Sequence, residues 1–245
     1  MTWLCVDHSS IVSVLGGFHL WWGGSAQAGI PRASQRVLAF LAISGGMTSR
    51  AAVAGTLWPD STEARAYSNL RSALGRLKCQ HRKILQTSKL ELGLIDGVTV
   101  DIRSAQTLAR RLLDPAATLE QSDLGPATIM ALSDDLLPGW YDDWVLVEAE
   151  DWRQLRLHAL EALTDRLTAV GCWGQAADAA GAAVRAEPLR ESAHAALIRV
   201  HLAEGNQSEA VREFMHYRAL LHSELGLEPT PRLRHLVQGL ESERQ

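Results

Sequence analysis

The chain has 245 residues and a formal net charge of −4, with 47% hydrophobic and 21% charged residues. This composition is ordinary for a globular protein and excludes a disordered or low-complexity chain, and the length allows one large or two modest domains. Its longest apolar run, residues 37–43, is far shorter than the roughly 20 residues of a membrane span. No signal peptide or membrane partner is therefore expected, and three widely separated cysteines suit a reducing cytoplasm.

The charge is distributed unevenly along the chain. Residues 1–100 carry a formal charge of +5, whereas residues 101–245 carry −9. Between Arg65 and Lys89 there are seven basic residues and no acidic residue. Such a basic band in an acidic protein is either a solvated helix face or a surface that contacts an anion, of which DNA is the commonest large one.

The first hundred residues predict strands, then three helices, then a hairpin. The predicted elements are strands at 11–15 and 18–22, helices at 31–44, 50–58 and 62–79, and a hairpin over 84–92. Ser49 is the predicted N-cap of the second helix, and Ser88 and Lys89 form the predicted tip of the hairpin. This order is that of a winged helix, an α+β domain, with an N-terminal sheet.

The third predicted helix has an apolar side and a polar side. Leu70, Ala73, Leu74 and Leu77 are predicted to face the core, with Leu74 at the centre of the stripe. The other side and the basic residues after it predict double-stranded DNA as the partner, because Arg, Ser and Asn bind base edges and phosphates in a major groove. The predicted DNA-contacting residues are Arg65, Ser68, Asn69, Arg71, Ser72, Arg76, Lys78, Lys83 and Lys89. An ordinary amphipathic surface helix is the alternative for the helical part of this set.

From Asp101 onward the pattern is helical almost throughout. Asp101 is the predicted N-cap of a helix that runs to Leu113, and residues 114–139 predict short helices and turns. A long helix is predicted over 144–170. We therefore expect two domains, a winged helix at 1–100 and an all-α domain at 101–245.

An internal repeat indicates the type of the helical domain. Shifted by 34 residues, Gly171 and Ala176 recur as Gly205 and Ala210, and Phe214 stands four residues after Ala210. The period and the Ala-x3-Phe spacing are those of tetratricopeptide repeats, in which small residues let paired helices approach closely. Residues 101–245 are therefore predicted to be tetratricopeptide-like.

Six segments carry a resemblance to a known family. They are SQRVLAFLA (34–42), LWPDS (57–61), ARAYSNLRSALGRLK (64–78), LLPGWYDDWVLVEAEDWRQLRLHALEAL (136–163), AEPLRESAHAALIRVHLAEGNQSEAVREF (186–214) and ELGLEPTPRL (224–233). Together they resemble the SARP/BTAD regulators of actinobacteria, antibiotic regulatory proteins with a bacterial transcriptional activator domain. The resemblance covers nearly the whole chain.

The resemblance implies a winged helix similar to that of response regulators, with the third helix as the DNA reader. It also implies a sequence-specific activator that binds repeated promoter sites, contacts RNA polymerase and forms a homodimer on tandem sites. The chain has no GxxxxGK[ST] motif of the ATPase domain found in larger relatives, so a small, stand-alone member is expected.

Other conspicuous residues favour structural roles. Trp140, Trp144 and Trp152 form an aromatic group that is expected to be helix-packing core, with an effector site as the alternative. Asp142 and Asp143 are interpreted as charge at a helix N-terminus, favoured by the helix dipole. Cys79 and its basic surroundings would allow a redox switch, but an inert thiol is expected. No HExxH, His/Cys cluster or GxSxG motif is present, and no metal, cofactor or enzymatic activity is expected.

Three functions therefore compete on the sequence alone. The first is a DNA-binding transcription activator. The second is a protein-interaction adaptor that uses its repeats and whose winged helix no longer binds DNA, and the third is an enzyme. The basic band favours the first over the second, because an adaptor has no need of it.

Overall fold

The computed structural model describes residues 10–240. The strands are β1 (Ser10–Ser13), β2 (His19–Trp22), β3 (Ser25–Ala26), β4 (Thr48–Ser49), β5 (Leu85–Thr87), β6 (Glu91–Leu94) and β7 (Val98–Val100). The helices are α1 (Arg32–Ser44), α2 (Arg50–Leu57), α3 (Glu63–Gly75), α4 (Cys79–Arg82), α5 (Asp101–Leu113), α6 (Pro126–Ser133), α7 (Asp143–Ala169), α8 (Trp173–Ala186), α9 (Glu191–Glu204), α10 (Gln207–Leu225) and α11 (Pro231–Val237), with a 3-10 turn at Gln121–Leu124.

The chain divides into two compact units. Unit 1 comprises the described residues up to Ser104 together with Asp135–Glu150. Unit 2 comprises Ala105–Asp134 and the described residues from Asp151 onward. The first unit therefore takes in a second, later segment of the chain, which local sequence patterns do not reveal.

Unit 1 contains two small sheets. The first has the strand order β3-β2-β1-β7, with β1 antiparallel to β2 and parallel to β7, where Ile11 lies opposite Thr99. The second has the order β4-β6-β5 and contains the hairpin, in which Leu85 lies opposite Leu94. The predicted N-terminal strands and hairpin are confirmed, whereas the parallel pairing of β7 was not predicted.

Three helices pack together around the core of unit 1. α1 packs against α2 and α3, and α2 packs against α3. The Ser49 hydroxyl accepts a hydrogen bond from the Ala52 nitrogen at 3.1 Å, which confirms the predicted N-cap of α2. The buried Ser34 hydroxyl donates to the Ala73 carbonyl at 2.7 Å and so connects α1 to α3. These contacts position α3, whose exposed side is the predicted DNA reader.

The third helix is shorter than predicted. It ends at Gly75 rather than Cys79, and Arg76 is its C-cap. The Arg82 guanidinium donates to the carbonyls of Gly75 and, at 3.0 Å, of Leu77. These carbonyls lie at and just beyond the end of the helix, where no intrahelical partner is available, and a later side chain satisfies them. Spacing alone could not show this end, because the apolar period continues through Leu77.

The buried stripe of α3 also differs from the prediction at one position. Ala66, Leu70 and Ala73 are buried, as is Leu77 just after the helix, whereas Leu74 is only half-buried. The buried positions follow intervals of four, three and four residues, which is the spacing of a single helical face. Leu74 therefore lies at the edge of the stripe, and its prediction as a central core residue was wrong.

The later segment of unit 1 extends the sheet region. The Leu137 nitrogen donates to the Val14 carbonyl at 2.8 Å, and the Gly16 nitrogen donates to the Asp135 carbonyl at 2.8 Å. Leu137 is buried and has a φ of 43°, a backbone conformation that costs a non-glycine residue about 1 kcal/mol or more. Burial of its side chain and the hydrogen bond to Val14 hold it there.

Unit 2 consists of successive packed helices. α8 packs against α9, α9 against α10, and α11 against both α9 and α10. The repeat residues Ala176 and Ala210 are fully buried, and Phe214 is 3% exposed. Gly205 ends α9 in the left-handed conformation, with φ 87°. The predicted tetratricopeptide-like fold is confirmed.

A buried polar group lies within the packed helices of unit 2. The fully buried His194 ring has Nδ1 2.6 Å from Glu213 Oε1 and Nε2 2.8 Å from the Pro188 carbonyl. Burial by itself would raise the pKa of Glu213, but the hydrogen bond with His194 and the nearby histidines hold it below its ordinary value. The pair therefore connects α9 to α10 and to the turn before α9.

Candidate nucleic-acid interface

The outward side of α3 is polar and carries several of the predicted residues. Arg65, Ser68, Arg71 and Ser72 are exposed, and Asn69 is half-buried. Opposite them lies the buried stripe that packs on α1 and α2. Such an arrangement leaves Arg and Ser side chains free to reach base edges or phosphates.

Three of the predicted basic residues lie beyond α3 rather than on it. Arg76 and Lys78 are exposed in the connection between α3 and α4, and Lys83 is exposed directly after α4. Their prediction as DNA contacts does not require helical geometry, because a phosphate can be bound from a turn as well as from a helix. Arg76 is the C-cap of α3 in a helical backbone conformation, so its placement on the same helical face as Arg65 stays a prediction.

The basic band divides into cations without a partner and one cation with a structural role. Within residues 10–240, six of its side chains form no ion pair or hydrogen bond, and these are Arg65, Arg71, Arg76, Lys78, Lys83 and Lys89. The seventh, Arg82, donates to the two carbonyls at the end of α3. Six positive charges without intramolecular compensation make this part of unit 1 an attractive surface for a polyanion.

A buried histidine lies among these cations. His81, in α4, is 2% exposed, and its Nε2 lies 3.2 Å from Gln27 Oε1, which also accepts from Gln80 Nε2 at 2.8 Å. Burial lowers the pKa of His81, and the charge of Lys78 lowers it further. His81 is therefore a neutral packing residue rather than another cation of the surface.

The hairpin tip has an ordered backbone. The Ser88 hydroxyl accepts from the Leu90 nitrogen at 3.2 Å and the Glu91 nitrogen at 2.9 Å. From the start of α2, the Arg50 nitrogen donates to the Leu90 carbonyl at 2.8 Å and Arg50 Nε donates to the Ser88 carbonyl at 3.1 Å. The tip is thus connected to α2, which itself packs on α3.

Two features of this tip were not predicted from the sequence: the contact of Arg50 with it and the exposure of Leu90. The sequence predicts Arg50 only as the first residue of a helix. Its hydrogen bonds to residues about forty positions later cannot be predicted from the neighbouring sequence. Leu90 reads as part of the apolar pattern of the hairpin, yet its side chain is 77% exposed. Lys89, which was predicted, is exposed beside it.

The three tryptophans that were predicted as packing residues each contact another side chain or the backbone. Trp140 is buried with the Arg32 guanidinium 3.5 Å from its ring centroid, and Trp144 contacts Phe40 edge-on at 5.4 Å. In unit 2, buried Trp152 donates from Nε1 to the Asp134 carbonyl at 2.9 Å. These contacts support packing roles.

The structure also locates Asp142, Asp143 and Cys79. Asp143 lies in the first turn of α7, as predicted, and Asp142 in addition forms an ion pair with Arg36. Cys79 is an exposed free thiol at the start of α4. Among residues 10–240, no three His, Cys, Asp or Glu side chains are grouped to hold a metal ion, and no helix has both the length and the apolar character of a membrane span.

Comparison with known proteins identifies a family and two relatives that are similar to this chain. Residues 104–240 match the family model described as "Bacterial transcriptional activator domain". Two curated proteins named "Regulatory protein AfsR", from Streptomyces griseus and Streptomyces coelicolor (strain ATCC BAA-471 / A3(2) / M145), are each 28% identical over 93% of this chain and 24% of their own length. The chain therefore spans about a quarter of these relatives.

A solved structure supports the same fold. "Mycobacterium tuberculosis EmbR in complex with low affinity phosphopeptide" superposes with a TM-score of 0.70 and 19% identity, and the match covers 96% of this chain and 66% of that chain. A winged-helix unit with a tetratricopeptide-like unit is the architecture expected of SARP/BTAD transcription regulators. The chain belongs to the bacterial transcriptional activator domain family, and the predicted SARP/BTAD resemblance is confirmed.

Proposed function

We propose that the chain is a sequence-specific, DNA-binding transcription activator without enzymatic activity, which acts on chromosomal DNA in the cytoplasm. The observation that carries the proposal is the exposed polar side of α3 together with six cations that are unpaired within residues 10–240, on α3, in the segments that follow it and at the hairpin tip. Arg71 and Arg65 have the chemistry to bind guanine through two parallel hydrogen bonds, and Asn69 has the chemistry to bind adenine. The basic residues outside α3 supply phosphate contacts, which fix the register of the helix on the duplex.

In this proposal the two parts of the chain divide the work. Residues 1–100, with a charge of +5, contact DNA, and residues 101–245, with a charge of −9, contact a protein. A strongly acidic surface is repelled by phosphates, so its partner is a protein rather than the duplex. Stacked helix pairs present the extended surface that such a partner needs. The proposed partner is RNA polymerase, and the proposed assembly on tandem sites is a homodimer.

DNA binding is tested with the full chain. Binding sites are selected from a pool of random duplexes, and the affinity for the selected site is then measured at several salt concentrations. The variant Arg65→Ala/Arg71→Ala/Arg76→Ala should bind more weakly, and its dependence on salt should fall by about one unit of slope for each lost phosphate contact. Arg110→Ala/Arg232→Ala/Arg234→Ala is the matched control, because all three side chains are exposed and unpaired within the described part of unit 2.

Absence of DNA binding by the wild-type chain would contradict the proposal. If the folded wild-type chain enriches no sequence and binds no duplex above background, the adaptor function is favoured instead. If it binds DNA, transcription by purified RNA polymerase from a template with the selected site tests activation. DNA binding without stimulation would remove activation from the proposal and leave a DNA-binding regulator.

A further inference from the structure

A surface cavity lies beside the connection between α2 and α3. Its volume is about 440 Å³, and all of its lining residues belong to unit 1. Three aromatic side chains line it, namely Trp58 at the end of α2 and Tyr141 and Trp144 around the start of α7. This size and this aromatic content are typical of small-molecule sites. The charges and hydrogen-bond donors of the wall indicate which kind of molecule fits.

The charged groups of the cavity are mainly acidic. Asp60, Asp142 and Asp143 line it together with a single cation, Arg36. Arg36 is already compensated, because it forms an ion pair with Asp142 and donates to the Leu57 carbonyl at 2.6 Å. Asp60 and Asp143 are exposed and form no ion pair within residues 10–240. Two uncompensated carboxylates beside aromatic rings attract a cation, since the face of an aromatic ring carries partial negative charge.

Two hydrogen-bond donors of the lining residues have no acceptor. Arg36 Nε and Trp144 Nε1 are shielded from solvent and form no hydrogen bond within residues 10–240. Trp144 contacts Phe40 edge-on at 5.4 Å between ring centroids, which accounts for its ring but not for its N–H. Buried donors without a partner are rare in folded proteins, and an oxygen atom of a bound molecule would offset the cost of leaving them unpaired. This observation is independent of the acidic residues and itself points to a ligand.

We propose that this cavity binds a small organic ammonium ion that also carries an oxygen acceptor. The aromatic rings and the two uncompensated carboxylates bind the ammonium group, and the donors of Arg36 and Trp144 bind the oxygen. The rings favour an alkylated ammonium over a metal ion, because its alkyl groups are buried against them while its charge is attracted to their faces. The inference does not depend on DNA binding, so it can be tested separately from the proposed function.

Three probes of similar size test the class of ligand. Choline carries a quaternary ammonium group and a hydroxyl oxygen, tetramethylammonium lacks the hydroxyl, and the tert-butyl analogue of choline lacks the charge. Because choline is small, its Kd should be on the order of 1 mM. Tetramethylammonium should bind about threefold more weakly, and the neutral analogue about tenfold more weakly. Sodium chloride at equal ionic strength controls for screening.

Tryptophan side chains report where the probes bind. The chain has eight tryptophans, whose indole N–H groups give NMR signals in the isotope-labelled full chain. Trp58→Phe and Trp144→Phe identify the two signals that belong to the cavity. Choline should shift these two signals in a saturable manner and leave the signal of Trp21, in β2, unchanged.

Substitution of the two uncompensated carboxylates tests the charge. Asp60→Asn/Asp143→Asn should weaken choline binding about fivefold and leave the affinity of the neutral analogue unchanged. Glu91→Gln/Asp96→Asn is the matched control, because both carboxylates are exposed in unit 1 outside the cavity and form no ion pair within the described residues.

A pair of variants at Tyr141 tests the aromatic wall. Tyr141 is 82% exposed, so its substitution should leave the fold intact. Tyr141→Phe keeps the ring, whereas Tyr141→Leu keeps only an apolar surface. The phenylalanine variant should therefore bind choline about threefold more tightly than the leucine variant.

Four results would overturn the inference. If choline well above its expected Kd shifts neither cavity signal, the cavity is not a site. Equal affinity for choline and its neutral analogue would mean that the cavity does not select a cation, and equal affinity for choline and tetramethylammonium would remove the oxygen acceptor. Wild-type affinity of Asp60→Asn/Asp143→Asn would remove the carboxylates from the site. Failure of the wild-type chain to bind DNA would contradict the proposed function alone and leave this inference in place.

Discussion

The carboxylate of Asp101 binds the backbone of Val14, with Oδ1 2.9 Å from the Val14 nitrogen. The same carboxylate accepts from the Leu15 nitrogen at 3.0 Å, from the Ser13 hydroxyl and from the Ile102 nitrogen at 2.7 Å. One side chain thus joins the end of β1 to the start of α5, although 87 positions separate Asp101 from Val14.

We expect Asp101→Asn to lower the free energy of unfolding by about 1–3 kcal/mol, because the amide NH2 would face N–H groups that need an acceptor. Urea unfolding of the full chain measures the change. Asp96→Asn is the matched control, since Asp96 is exposed and forms no hydrogen bond within residues 10–240. Equal losses in both variants would show that the carboxylate of Asp101 has no special role.

Leu70→Ala and Leu74→Ala should differ in their effect on stability. Leu70 is 1% exposed, so its truncation should cost about 2–5 kcal/mol. Leu74 is half-buried at the edge of the stripe and should cost clearly less. Thermal unfolding of the two variants side by side tests this order, and a larger loss for Leu74 would contradict the orientation of α3.

Arg76→Ala and Arg82→Ala should separate DNA binding from stability. Arg76 is exposed and unpaired within the described residues, so its loss should leave the melting temperature unchanged and lower the salt slope of DNA binding by about 1. Arg82 donates to two carbonyls after α3, so its loss should lower the melting temperature. The opposite pattern would mean that Arg82 is the DNA contact.

Gly93→Ala should disturb the base of the hairpin. A Cβ at Gly93 would lie 2.8 Å from the Gly46 carbonyl oxygen and 2.8 Å from Met47 Sδ, which is too close for either atom. The sulfur can move, but the backbone oxygen cannot without shifting the turn before β4. Thermal unfolding should show a loss of about 1–3 kcal/mol, and a wild-type melt would show that the turn adapts freely. Gly97→Ala is a poorer control because of its positive φ, so the open Gly55 in α2 serves instead.

His81 should make the folded protein less stable in mild acid. Burial lowers the pKa of His81 in the folded state, and the charge of Lys78 lowers it by a smaller amount. Above about pH 6.5, the ordinary value, His81 is neutral in both states and imposes no penalty. As the pH falls through that value, the unfolded chain takes up a proton that the folded chain does not, so stability falls until the folded-state pKa is reached. His81→Gln should remove this part of the pH dependence in urea unfolding between pH 8 and pH 5, and an unchanged slope would contradict it.

Local patterns in the sequence predicted most of the elements, and the structure differs where distant residues act. The hairpin, the N-cap at Ser49 and the small-residue repeat follow from short-range spacing. The end of α3 depends on Arg82, a side chain seven residues beyond Gly75. The pairing of β7 with β1 joins segments almost ninety residues apart, and no local periodicity of the sequence predicts it.

The candidate DNA-binding surface could also be predicted only in part. Composition alone identified the basic band, because a run of like charges is visible without any fold. Composition could not show that six of these cations are unpaired while Arg82 is bound to backbone carbonyls. It also could not show that Arg50 holds the hairpin tip, since that contact depends on how β4 and β6 pair.

The return of Asp135–Glu150 to unit 1 has a consequence for how the protein is made. During translation the strands and helices up to Ser104 leave the ribosome first, but the segment that bonds to Val14 and Gly16 does not yet exist. Unit 1 is therefore completed only after Glu150 has emerged, when the first helices of unit 2 are already outside the exit tunnel. The match to the activator-domain family begins at residue 104, before this segment. A chimera of two relatives joined there would combine the N-terminal part of unit 1 from one parent with the Asp135–Glu150 segment from the other.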